Sequence, residues 1–120
     1  MAHATVWFVV DYDVDVTKFD EFDRLAKLMS EKSAEEPGTL LYKWHISADR
    51  TQCRLIESYV DGQAVIAHVT GPVIRDYVPQ ISAVSKVTLF EVYGDPGQEA
   101  AEVLASIGAI LYKPIQGFGR

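Results

Sequence analysis

The chain has 120 residues, 48% of them hydrophobic and 23% charged. That length fits one domain and excludes a two-domain enzyme, while the composition excludes both a disordered acidic tail and a membrane protein. Eleven Lys and Arg against 17 Asp and Glu leave a formal charge of −6, the wrong sign for a nucleic-acid binder that must meet phosphates.

No stretch reaches the roughly 18 apolar residues of a membrane span. The first residues, MAHAT, lack a basic region followed by an apolar run and a cleavage site, so a signal peptide is not expected. The single cysteine, Cys53, cannot form an intrachain disulfide or a cysteine-based zinc site. A cytoplasmic location is the expectation, since secreted chains more often carry paired cysteines.

Residues 6–14 (VWFVVDYDV) are β-branched and aromatic and predict a first strand. Val6, Phe8, Val10, Tyr12 and Val14 share one face; Trp7 and Val9 begin the other. Thr17 opens a helix to about residue 33, with Asp20 and Glu21 in its first turn and Phe19, Phe22, Leu25, Ala26 and Met29 as its apolar stripe. Pro37-Gly38 makes a turn. Residues 39–45 form a second strand, with Leu40, Tyr42 and Trp44 on one face. A polar turn at 47–51 leads to a third strand over 52–60, where Cys53, Leu55, Glu57 and Tyr59 alternate with Arg54, Ile56, Ser58 and Val60.

Asp61 is the expected cap of a short helix over 63–69, interrupted by Gly71-Pro72. Residues 73–78 make a further helical turn, expected to stop at Pro79. Residues 86–93 are a fourth strand, GDPG at 94–97 a turn, and 98–107 a last helix with Ala100, Val103, Leu104 and Ile107 on one stripe. The tail from Gly108 still carries Ile110, Leu111, Tyr112, Ile115 and Phe118, too apolar for a solvated end. It is expected to pack on the body or on a partner.

The order β-α-β, β-α-β predicts an α+β, ferredoxin-like split βαβ fold. Its four-stranded antiparallel sheet carries helices on one face, with an extra C-terminal helix and tail. A sheet covered on one side alternates apolar and polar residues. Strands one, two and four are instead apolar on both faces, so a second copy is expected to cover the free face in a homodimer.

Residues 5–95 resemble the antibiotic biosynthesis monooxygenase (ABM) domain of the dimeric α+β barrel superfamily. The residues that carry the resemblance are Glu-Pro-Gly-Thr-Leu-Leu-Tyr at 36–42 and Glu57-x-Tyr59-x-Asp61-x-x-Ala64-x-x-x-His68. This divides the chain into an ABM-like domain over 1–95 and a C-terminal helix and tail over 96–120. The resemblance implies oxygenation without metal or flavin, hence no cofactor. An electron-rich phenol or enol loses a proton and its anion meets dioxygen directly. Such chemistry asks for a dry apolar pocket, a base, and a donor to the developing oxyanion.

His68 is the candidate base, since imidazole changes charge near neutral pH; its competing role is packing at a helix end. Glu57 on the face of Leu55 must be paired or have a raised pKa if buried. It either orients His68, binds a substrate hydroxyl, or forms a structural pair. Tyr59 stands where several catalytic relatives carry tryptophan and could donate to a substrate oxygen. Tyr42, Trp44 and, more weakly, Tyr77 are candidate substrate contacts, with Trp7 and Tyr93 behind them; packing in the core or a dimer interface is the competing use of each.

His45 sits at a strand end and His3 near the start. No histidine pair stands at helical metal-ligand spacing, and HExxH is absent, so no metal site is expected. The chain contains no asparagine. Haem-degrading relatives and the polyketide quinone-forming monooxygenase rely on one, so neither mechanism carries over whole. The reading is a cofactor-independent monooxygenase of a small aromatic or enolic, quinol-like substrate. The alternatives are an isomerase or lyase of the same fold, or a binding or structural dimer without catalysis.

Overall fold

The computed structural model describes residues 5–120; His3 lies outside the described residues. The first strand, β1, spans Val6–Val14. Its β-branched and aromatic side chains favour extended backbone, and their alternation is complete on one side. Val6, Phe8, Val10, Tyr12 and Val14 are all buried. Strand β2 runs over Thr39–Ile46, β3 over Gln52–Tyr59 and β4 over Ser85–Tyr93. β1 lies between β3 and β4 and pairs antiparallel with each. β2 pairs antiparallel with the far side of β3.

The architecture is the expected α+β, ferredoxin-like one, with two corrections to the sheet. A short strand β5, Ile110–Tyr112, adds to the far edge of β4, so the sheet is five-stranded in the order β2-β3-β1-β4-β5. β5 is parallel to β4, because a helix carries the chain back before it pairs. The second correction concerns Leu40. The β2–β3 register shifts between Thr39 and Leu41, and Leu40 stands exposed instead of joining Tyr42 and Trp44 under the helices. A bulge re-aims side chains in this way.

The helices cover the Phe8 face. The Asp15 carboxylate accepts from the Thr17 N–H at 3.1 Å and caps a 3-10 turn over Val16–Lys18. Helix α1 then spans Phe19–Ser33, slightly later than the opening expected at Thr17. Phe22, Leu25, Ala26 and Met29 form its buried stripe. Helix α2, Gly62–Val69, is capped by Asp61, whose carboxylate accepts from the Ala64 N–H at 2.9 Å. Helix α3 spans Pro72–Ile81 and runs through Pro79. Proline there removes only one helical hydrogen bond. The turn continues, with the Ser82 N–H donating to the Val78 carbonyl at 3.0 Å, and it buries Ile81.

Helix α4, Gln98–Ser106, buries Ala100 and Leu104 and leads to β5. Beyond β5 the tail leaves Ile115 and Phe118 largely exposed.

Among the described residues, no helix lies on the other face of the sheet. On it β1 places Trp7, Val9 and Asp11, β3 places Arg54 and Ile56, and β4 places Leu89, Glu91 and Tyr93, by register. Arg54 is paired there with Asp11 in a two-bonded contact of 2.7 and 2.8 Å. No helix among the described residues is long and apolar enough to cross a membrane.

Candidate active site

A cavity of about 340 Å³ lies between the inner face of the sheet and the helices. Its walls are mostly apolar: Phe8 and Val10 from β1, Met29 from α1, Val78 and Ile81 from α3, and Phe90 from β4. Ile107, just past α4, is also at its wall. Set into these walls are His68, Glu57 and Tyr42.

His68 lies in the last turn of α2 and is 1% exposed. Its Nδ1 lies 2.8 Å from Oε1 of Glu36, which also accepts from the Thr39 hydroxyl at 2.7 Å. Its Nε2 lies 3.6 Å from Oε1 of Glu57 and has no hydrogen-bond partner among the described residues. One ring nitrogen is therefore held by a carboxylate, and the other, beside Glu57, carries no hydrogen bond among the described residues.

Glu36 reaches the ring because of the turn it belongs to. Gly38 packs so closely on α2 that a Cβ there would stand 2.4 Å from the Ala64 Cβ. The Gly38 carbonyl accepts from the Val60 N–H at 3.0 Å, which pins the turn to the end of β3. The Glu-Pro-Gly sequence, the Asp61 cap and Ala64 thus act together to bring residue 36 to residue 68.

The electrostatics of the two carboxylates diverge. Burial pushes Glu57 above the usual carboxylate range, opposed by the nearby His68 and by a hydrogen bond from the Tyr59 hydroxyl. Burial also acts on Glu36, but hydrogen bonds from His68 and Thr39 outweigh it and hold Glu36 below that range. An ionised Glu36 only accepts hydrogen bonds, so the proton of a neutral imidazole sits on Nδ1 and the lone pair on Nε2. A carboxylate behind a histidine sets the tautomer in the same way in a catalytic triad.

Burial also raises Tyr42 well above the ordinary phenol value. Tyr59 is raised for the same reason, with Glu57 adding to it. Both phenols therefore stay neutral and can donate. Their rings pack against the imidazole, with centroids 5.6 Å away for Tyr42 and 5.3 Å for Tyr59.

Of the residues singled out from the sequence, the structure brings His68, Glu57, Tyr59 and Tyr42 together. Trp44 stands away from the cavity wall. Its indole donates to the Ser30 hydroxyl at 3.0 Å and packs on Tyr12 and Phe22. Tyr77 lines a separate surface depression with Lys32, Glu35, Glu36 and Asp76. Trp7 and Tyr93 are on the helix-free face, as is the exposed His45, whose Nδ1 lies 3.2 Å from the Arg54 carbonyl oxygen. Glu36 is the residue of this cluster that the sequence reading did not single out. Its signal was present in the Glu-Pro-Gly stretch, but a carboxylate before a turn reads as solvated.

The family model for antibiotic biosynthesis monooxygenase matches residues 6–80, well over half of the chain. No curated protein matches the sequence. Among solved structures, MupZ from Pseudomonas fluorescens is similar, with a TM-score of 0.83 at 22% identity, covering 97% of this chain and 94% of its own. SnoaB from Streptomyces nogalater, a cofactor-independent oxygenase, has a TM-score of 0.69 at 17% identity, covering 79% of this chain and 96% of its own. Rv0793 from Mycobacterium tuberculosis has a TM-score of 0.65 at 20% identity, covering 78% and 97% respectively. The likeness to MupZ spans nearly the whole chain, further than the likeness to the other two. The family-model match over residues 6–80, in agreement with the fold and the motif residues, shows that the chain belongs to the antibiotic biosynthesis monooxygenase family.

Proposed function

We propose that the protein is a cofactor-independent monooxygenase that oxidises a small aromatic or enolic, quinol-like substrate, with His68 as the base. The observation that carries this reading is the unpartnered Nε2 of a buried histidine at the wall of an apolar cavity, its other nitrogen held by Glu36. The substrate hydroxyl gives its proton to Nε2. The resulting anion delivers electrons to dioxygen, and a carbon–oxygen bond forms. The imidazolium returns a proton to the oxygen adduct, and loss of water leaves a carbonyl. Tyr42, neutral and at the cavity wall, donates to the developing oxyanion. Tyr59 acts through Glu57, keeping that carboxyl in place beside Nε2. Trp44 and Tyr77 support the site from outside the cavity wall, by packing and at the surface. The similarity to SnoaB, a cofactor-independent oxygenase, supports the same reading.

The working unit is a homodimer joined through the helix-free face. Trp7 and Tyr93 are 41% and 38% exposed there, side by side in register, and the charged Asp11 and Arg54 between the apolar residues already satisfy each other. A mass near twice 13.4 kDa by light scattering is expected; the single-chain mass at micromolar concentration contradicts the dimer. The composition and the single cysteine favour a cytoplasmic location.

Oxygen uptake with a panel of quinols and anthrones tests the function. Turnover that stops without oxygen and falls in His68→Ala is expected. A second reading has its own observation: Glu57, with its pKa raised, lies 3.6 Å from Nε2, an acid beside a base, as an isomerase or lyase would need. Product formed at an undiminished rate without oxygen selects that reading over the first.

A further inference from the structure

His68 is approached from two sides. Nε2 faces Glu57 at the cavity, while Nδ1 meets Glu36. The imidazole itself is closed to solvent, but the Glu36 side chain is 20% exposed. Glu36 also lines the surface depression of about 350 Å³ between α1, α2 and α3, beside Lys32, Asp76 and Tyr77. One carboxylate therefore touches the buried ring on one side and a surface hollow on the other. The hydrogen-bonded pair of His68, at the cavity, and Glu36, at the hollow, links the two.

From this juxtaposition we infer that Glu36 is a proton relay, through which His68 exchanges its proton with solvent while substrate fills the cavity. The inference rests on the reading of His68 as the base. The transfers balance. The substrate O–H bond breaks, its electron pair stays on oxygen, and the proton joins Nε2. The Nδ1–H proton passes to Glu36 Oε1, leaving its electron pair on Nδ1. The neutral Glu36 acid then releases the proton to water or a buffer base in the hollow. Nδ1 then recovers a proton by the same route, the restored imidazolium gives its Nε2–H to the oxygen adduct, and the starting tautomer returns.

The groups around the path are few. Glu57, Tyr42 and Tyr59 face the ring from the sheet. Thr39 shares Oε1 of Glu36. Lys32 and Glu35 from the end of α1, and Asp76 and Tyr77 from α3, surround the outlet. Lys32 and Glu35 lie 3.8 Å apart, so their charges offset each other there.

Orientation of the ring needs only an acceptor, which a glutamine amide supplies. Relay needs a group that can take up and release a proton. Glu36→Gln separates the two. Exchange of the His68 ring N–H with water, followed by NMR, is expected to slow about a hundredfold or more in Glu36→Gln, the scale of a positioned proton-transfer group. Thr39→Val, which removes a hydrogen bond to the same oxygen but keeps the carboxylate, is expected to leave exchange within about twofold, because only the titratable group matters. Equal exchange in wild type and Glu36→Gln, or equal slowing in both variants, overturns the relay. With a substrate in hand, Glu36→Gln turnover is expected to recover as a small buffer base is added; a loss indifferent to buffer also overturns it. Absence of turnover in the wild type with normal ring exchange counts against the proposed reaction and leaves the relay standing.

Discussion

The sheet carries the same two-residue arrangement twice, on opposite faces. On β3 the Tyr59 hydroxyl donates to Glu57, and on β4 the Tyr93 hydroxyl donates to Glu91. The two glutamates even sit opposite consecutive residues of β1, Glu57 across from Phe8 and Glu91 across from Val9. Their surroundings differ in everything else. Glu57 and Tyr59 are 4% and 0% exposed and stand beside His68, with Glu57 at the cavity wall. Glu91 is only half-buried and shares its other oxygen with Tyr112, whose ring stacks on Tyr93. An identical hydrogen bond is thus a chemical device on one face and a surface fitting on the other. Burial makes the difference, because a carboxyl removed from water must be paired or change its proton affinity.

The widest contrast is expected in turnover. His68→Ala should lower the rate of oxygen uptake about a hundredfold or more, the usual contribution of a positioned base. Glu91→Gln on the other face should leave the rate alone. Comparable losses from both would erase the distinction between the faces.

Stability should separate the pairs next. Tyr59→Phe leaves a buried carboxyl without its donor, at a cost of about 1–3 kcal/mol in urea unfolding. Tyr93→Phe leaves Glu91 its bond from Tyr112 and, in the single chain, access to water, so no measurable change in the stability of the isolated fold is expected.

The pH dependence sharpens the contrast within the inner face. Glu57 has a folded-state pKa raised by burial, so ionising it opposes folding. Wild type should lose stability as pH rises from the ordinary carboxylate range through that raised value, and Glu57→Gln should not. Glu36 has a lowered folded-state pKa, its hydrogen bonds outweighing burial. Its contribution should be present above the ordinary carboxylate value and lost as pH falls through the lowered one, a loss absent from Glu36→Gln. Melting curves from acid to neutral pH measure both, and differences of the same sign would contradict the assignment.

The smallest effect belongs to the Arg54–Asp11 pair. The Arg54 side chain is 56% exposed, and Arg54→Ala should change the stability of the isolated fold by less than about 1 kcal/mol.

Much of this was legible in the residues themselves. The alternation in 6–14 marked the buried face of β1, and the run from Glu57 to His68 marked one strand end and the helix packed on it. Alternation assigns a face but not a position along it. Tyr42 and Trp44 share a face, yet they stand about 6–7 Å apart along the strand, enough to place one at the cavity and the other under α1. Glu36 is 32 residues from His68, and no local pattern reports such a contact. Pro79 misled because local propensity ends a helix where tertiary packing of Ile81 continues it. β5 is three residues long in a tail with few strand signals, and its pairing depends on where α4 delivers it.

The most direct test of the central claim is the proton itself. A hydroxyanthraquinone small enough for the cavity changes colour when its phenol ionises, and its absorption spectrum can be recorded bound to wild type and to His68→Ala near neutral pH. The account predicts the phenolate spectrum in wild type and the neutral phenol in His68→Ala, with binding retained in both. The same spectrum in both proteins would contradict His68 as the base.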